Sequence, residues 1–83
     1  LHKFLVRGKE VQLTASEFSI LHILMRQCDW VFTRSKIVNA LRGNEYPVTE
    51  RSVDVHIVSL RKKLGPYAEY LKTVRGVGYK FGN

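Results

Sequence analysis

At 83 residues the chain has room for one domain around one small core, which excludes a second domain and a large enclosed active site. Hydrophobic residues at 45% and charged residues at 25% are those of a globular protein. The longest uncharged run, Phe18 to Met25, falls far short of the roughly 20 residues that a membrane span needs. Lys and Arg outnumber Asp and Glu by 14 to 7, a formal charge of +7 that points to a polyanionic partner.

In chain order, Phe4 to Leu13 alternates around Arg7-Gly8-Lys9-Glu10 and predicts a β-hairpin, the remnant of a sheet if Leu1 lies inside a longer protein. Thr14-Ala15-Ser16-Glu17 is a capping box, so a helix starts there, burying Phe18, Leu21, Met25 and Cys28, with Ile20 and Leu24 widening the stripe. On that stripe Cys28 is a buried thiol, and as the single cysteine it forms no intrachain disulfide, which fits a reducing cytoplasm. Trp30-Val31-Phe32 predicts a short strand crossing the middle of the domain.

Thr33 caps a second helix from about Arg34 to Leu41, burying Ile37, Val38 and Leu41 and stopped by Gly43. Residues 43–49 form a loop, because Pro47 disfavours helical geometry at Tyr46. Thr49 then caps a third helix to about Leu64, closed by Gly65 and Pro66. Leu71 to Phe81, with Gly76-Val77-Gly78 at its centre, predicts a second hairpin.

The third helix has a core stripe of Val53, Ile57, Leu60 and Leu64. Its opposite face carries Arg51, Val55, Val58, Ser59 and Lys62, flanked by Ser52 and Asp54. Cations with small apolar and hydroxyl residues between them suit the major groove, where Arg and Lys meet phosphate or guanine and Val meets thymine methyls. Arg75 precedes the Gly76-Val77-Gly78 tip, from which a long cation can enter a minor groove.

Leu13-Thr14-x-x-Glu17-Phe18, Arg51-Ser52-Val53-Asp54-Val55-His56-Ile57, Leu60-Arg61-Lys62-Lys63-Leu64 and Thr73-Val74-Arg75-Gly76-Val77-Gly78-Tyr79 together resemble the OmpR/PhoB-type response-regulator effector domain. The resemblance spans nearly the whole chain. It implies an α+β winged helix-turn-helix with N-terminal antiparallel strands, three helices and a C-terminal hairpin wing, behind a phosphorylatable receiver domain that these 83 residues do not include. It implies sequence-specific binding of double-stranded DNA for transcription regulation, with residues 50–64 in the major groove and the wing, 71–81, in the minor groove. Tandem half-sites occupied by a dimer follow from it, as does contact of loop 43–49 with RNA polymerase, whereas the isolated domain is expected to be a monomer.

Carried over by position, the pattern puts Arg51, Ser52, Val55 and Ser59 on the major-groove side and Arg61 and Lys62 near phosphate. Thr73 becomes a phosphate contact, Arg75 the minor-groove residue, and Arg34 a backbone contact at a positive helix end. Val58-Ser59 stands where some members carry paired arginines, so base preference does not transfer, and Arg42 replaces a tryptophan common in the family.

No metal, cofactor or catalysis is expected. His2, His22 and His56 are scattered, and Asp54 and His56 lie about 200° apart on one helix. The competing reading is a basic protein-interaction module in which Val55, Val58 and Tyr46 form an apolar patch, and steep loss of binding with salt separates DNA from that alternative.

Overall fold

The computed structural model describes residues 2–6, 8–43 and 48–83. Strands β1 (His2–Val6) and β2 (Lys9–Leu13) pair antiparallel, from His2 opposite Leu13 to Val6 opposite Lys9. Lys9 and Glu10, expected in the turn, therefore already belong to β2.

Helix α1 (Ala15–Arg26) opens on the expected capping box: Thr14 Oγ1 accepts the Glu17 amide at 3.2 Å, and Glu17 Oε1 accepts the Thr14 amide at 2.9 Å. Its buried stripe is Glu17, Ile20, Leu21 and Leu24. Ile20, Leu21 and Leu24 are buried as expected, and the other three expected residues are corrected. Phe18 is half-buried, Met25 is exposed, and Cys28 is an exposed free thiol, because the helix stops at Arg26 and a turn carries Cys28 off the helical face. The stripe is rotated toward Glu17, an acid that a count of apolar residues passes over.

Strand β3 is only Phe32–Thr33, with Trp30 and Val31 exposed ahead of it. The Trp30 amide still belongs to the turn, donating to Gln27 O at 3.0 Å, and the strand starts two residues later than expected. Thr33 Oγ1 then caps α2 (Arg34–Ala40) by accepting the Lys36 amide at 3.1 Å. Ile37 and Leu41 are buried and Val38 is partly so. Gly43 has φ +92°, the left-handed geometry that ends a helix at least cost with glycine. Most of the predicted polymerase-facing loop, residues 44–47 including Tyr46, lies outside the described residues.

Helix α3 (Glu50–Leu64) is capped by Thr49, and here Ser52 completes a reciprocal box that its sequence role as a contact residue did not anticipate. A 3₁₀ turn (Gly65–Tyr70) leads into β4 (Leu71–Val74) and β5 (Gly78–Phe81). The second sheet has the order β3-β5-β4, all antiparallel. The wing is thus anchored to the body by β3. Gly78 allows that pairing: a Cβ there would sit 2.0 Å from the Phe32 carbonyl oxygen. Ile20, Leu24, Ile37, Val53, Ile57 and Leu60 from the helices form the core with Leu13, Leu71 and Tyr79 from the two sheets. No helix of the described residues is long and apolar enough to cross a membrane.

Candidate nucleic-acid interface

Helix α3 presents four faces, as ~100° of turn per residue dictates. Val53, Ile57, Leu60 and Leu64 point into the core. Arg51, Val55, Val58 and Lys62, at i, i+4, i+7 and i+11, form the opposite, solvent-facing stripe. Val55 is 66% exposed and Val58 52% exposed, so two β-branched apolar side chains lie in water between two cations. A face that serves only solubility has no reason to hold them.

One flank of α3 turns to α1 and carries Ser59 and Lys63. Ser59 Oγ donates to Glu17 Oε2 at 2.5 Å, and Lys63 Nζ reaches Glu17 Oε1 at 2.6 Å. The Glu17 side chain is 3% exposed. Burial opposes its ionisation, but hydrogen bonds from Lys63, Ser59 and the Thr14 amide, with the Lys63 charge, outweigh that and pull its carboxyl down to about 2. The expected placement of Ser59 on the exposed stripe is corrected here. It is half-buried, and its hydroxyl is committed to Glu17, 42 residues away in the chain.

The other flank turns to the wing and carries Asp54 and Arg61. Asp54 Oδ1 accepts Arg34 Nε at 2.8 Å and also the Tyr79 hydroxyl. The Tyr79 bond, then Arg34, holds the Asp54 carboxyl below the usual carboxylate range, and the Asp54 bond in turn raises Arg34. Burial, reinforced by Asp54, pushes the Tyr79 phenol up. Arg61 donates from Nε and Nη2 to the Leu71 carbonyl at 3.0 and 2.8 Å, and from Nη2 to Thr73 Oγ1 at 2.8 Å. The guanidinium carbons of Arg34 and Arg61 lie 5.5 and 6.0 Å from the Tyr79 ring centre, within cation–π range.

Arg51, Val55 and Lys62 therefore share the open stripe. Arg34, Arg61 and Thr73 meet instead around Asp54 and Tyr79, and bonds within the protein already occupy part of each. Ser52 is half-buried and its hydroxyl works in the cap, accepting the Thr49 amide at 2.9 Å. Arg75 is exposed in the turn between β4 and β5, where Gly76 has φ +75° and the Val77 amide closes the turn on Val74 O at 2.9 Å. Arg42 points away from any core, with Nη2 on Asn39 Oδ1 at 2.8 Å.

The sequence flagged neither Glu17 and Lys63 nor Asp54 and Tyr79 as partners, since both pairings join elements distant in the chain. The one available signal was an acid on each flank of so basic a region, at Glu17 and Asp54. Among the described residues no group of three His, Cys, Asp or Glu side chains could hold a metal ion.

Helices α2 and α3 with a β-hairpin wing strapped to the side of α3 make a winged helix-turn-helix, and the open face of α3 with Arg51 and Lys62 lies exposed beside that wing. The chain belongs to the family described as transcriptional regulatory protein, C terminal, whose model matches residues 8–81, and within it to the OmpR/PhoB-type effector domains of response regulators. It is 37% identical over 81 residues to the phosphate regulon transcriptional regulatory protein PhoB of Pseudomonas aeruginosa, covering 96% of this chain and 35% of that protein. It is 40% identical over 79 residues to the response regulator ArlR of Staphylococcus aureus, covering 93% and 36%. The chain thus spans about a third of the length of these relatives.

Among solved structures, the DNA-binding domain of response regulator AdeR in complex with an intercistronic region superposes with a TM-score of 0.82 at 34% identity, covering 99% of this chain and 86% of that one. The Klebsiella pneumoniae RstA DNA-binding domain in complex with the RstA box superposes at 0.78 with 36% identity, covering 96% and 82%.

Proposed function

We propose that this chain is the DNA-reading output domain of a cytoplasmic two-component response regulator, acting by sequence-specific binding to duplex DNA and not as an enzyme. The observation that carries this reading is the open stripe of α3, where Val55 and Val58 stand in solvent between Arg51 and Lys62. In a major groove the valines meet thymine methyls while the cations take guanine edges or phosphates. Arg75 enters the neighbouring minor groove from the wing tip, and Arg34, Arg61 and Thr73 line the path of a phosphate backbone between the two. Ser52 contributes through its place at the amino end of α3, and Ser59, at the edge of the open stripe, holds α3 against α1 through Glu17.

The 83 residues form one effector domain that follows a receiver domain in the intact protein, in keeping with the third of the relatives' length that the chain spans. Alone it is a monomer. On DNA two copies occupy tandem half-sites, and residues 43–49 meet RNA polymerase.

The test is a mobility-shift titration of the chain on duplex DNA across a salt series. Contacts from Arg51, Lys62, Arg34 and Arg61 predict a slope of log K against log salt of about −3 to −4. Binding indifferent to salt would sink the reading and favour a protein partner on the valine patch.

A further inference from the structure

The α3 and wing surfaces are of use together only if the angle between them matches the spacing of the two grooves, and one small cluster of side chains joins them. Asp54 stands on α3, Tyr79 on β5 of the wing and Arg34 at the start of α2; a single oxygen, Asp54 Oδ1, accepts from both the Tyr79 hydroxyl and Arg34 Nε. About two turns further along the same flank of α3, Arg61 spans to β4 through Leu71 O and Thr73 Oγ1, and both guanidiniums lie over the same Tyr79 ring. The tyrosine is buried, whereas the Asp54 side chain is 47% exposed.

A bond this exposed adds little to stability by itself. Its geometry is the informative part, because the acid links three elements that approach DNA at three places. It is also an acid spent among cations. On a surface meant to gather phosphates, a carboxylate that neutralises Arg34 costs the surface part of its positive charge, so its presence calls for an orienting role.

We propose that Asp54, acting through Tyr79 and Arg34, is a positioning residue that holds the wing at a fixed angle to α3, so that readout by α3 and insertion of Arg75 reinforce each other. This rests on the proposed DNA reading, in which Arg75 enters a minor groove. Asp54 itself contacts no base. With the link cut, α3 still docks and β3 and Arg61 still hold the base of the wing, but its tip loses the fixed angle and Arg75 contributes less to affinity.

The test is a double-mutant cycle measured by duplex binding with the whole chain, using a cognate site taken from random-library selection. Arg75→Ala is expected to weaken the otherwise native protein about tenfold. In an Asp54→Ala or a Tyr79→Phe background the same substitution is expected to cost less than about threefold. Tyr79→Phe removes only the hydroxyl, leaving net charge and core packing as they are, so it separates positioning from the charge gained in Asp54→Ala. Each background's Tm, measured alongside, keeps loss of fold apart from loss of coupling.

An Arg75→Ala penalty that stays near tenfold in both backgrounds overturns the positioning role while leaving DNA reading intact. An Arg75→Ala penalty absent from the native protein overturns the wing's part in that reading, and the positioning role with it. Failure of the native chain to bind any duplex overturns both.

Discussion

Replacing Glu17 by Gln probes the pin that fixes α3 against α1. The carboxylate takes the Thr14 amide, the Ser59 hydroxyl and the Lys63 ammonium at 2.9, 2.5 and 2.6 Å while being almost wholly buried. An acid pulled from its ordinary 4.5 to about 2 in the folded chain stabilises the fold by about 3 kcal/mol at neutral pH. That is a large share of the ~5–10 kcal/mol holding a domain of this size. Because the folded value is the lower one, the contribution is complete above about 4.5 and is lost as pH falls through about 2.

The assay is urea unfolding of the native and Glu17→Gln proteins from pH 2 to 7. The other carboxylates titrate alike in both and cancel in the difference. The gap in unfolding free energy is expected to be smallest near pH 2, to widen up to about pH 4.5 and to stay flat beyond. A gap of constant size across that range, or one that narrows as pH rises, would refute the charge-based account of the pin.

Ser59→Ala removes one hydrogen bond of that pin and should cost about 1 kcal/mol in unfolding free energy, with the preferred DNA sequence unchanged; a changed preference in library selection would return Ser59 to the base-reading set. Gly78→Ala forces a Cβ to within 2.0 Å of the Phe32 carbonyl oxygen and should destabilise the chain by about 2 to 3 kcal/mol, and an unchanged Tm would mean that β3 and β5 part easily. Thr49→Ala strips the α3 cap and should cost about 1 kcal/mol by denaturant titration. Arg75→Ala should leave Tm alone and weaken cognate duplex binding by about 1 to 3 kcal/mol, and native affinity would remove the wing tip from the interface.

Periodicity and caps made α3 legible in advance, since Val53, Ile57, Leu60 and Leu64 are all buried and Thr49 and Gly65 mark its ends as expected. In α1 the same logic placed the cap and Ile20, Leu21 and Leu24 but not Phe18, Met25 and Cys28, because an apolar count has no place for a buried Glu17, and the turn after Arg26 takes Cys28 off the helix. Ser59 shows the limit of a helical wheel. The wheel gives an angle but not a neighbour, and Ser59 lies where the open stripe meets the flank against α1, so the partner decides its role. Arg34, Arg61 and Thr73, which the family motifs single out as phosphate contacts, lie together on the wing side of α3, and their engagement with Asp54, Tyr79 and one another spans separations of 10 to 25 residues that no local pattern encodes.

Base reading by the open stripe of α3 is the proposal on which the DNA reading rests. Selection of bound sequences from a random duplex library tests it most directly, run in parallel for the native chain and for Val55→Ala and Arg51→Ala. One short enriched motif is expected for the native chain, with preference relaxed at one defined position by each substitution. A recovered pool as diverse as the input, or a motif that neither substitution alters, would contradict it.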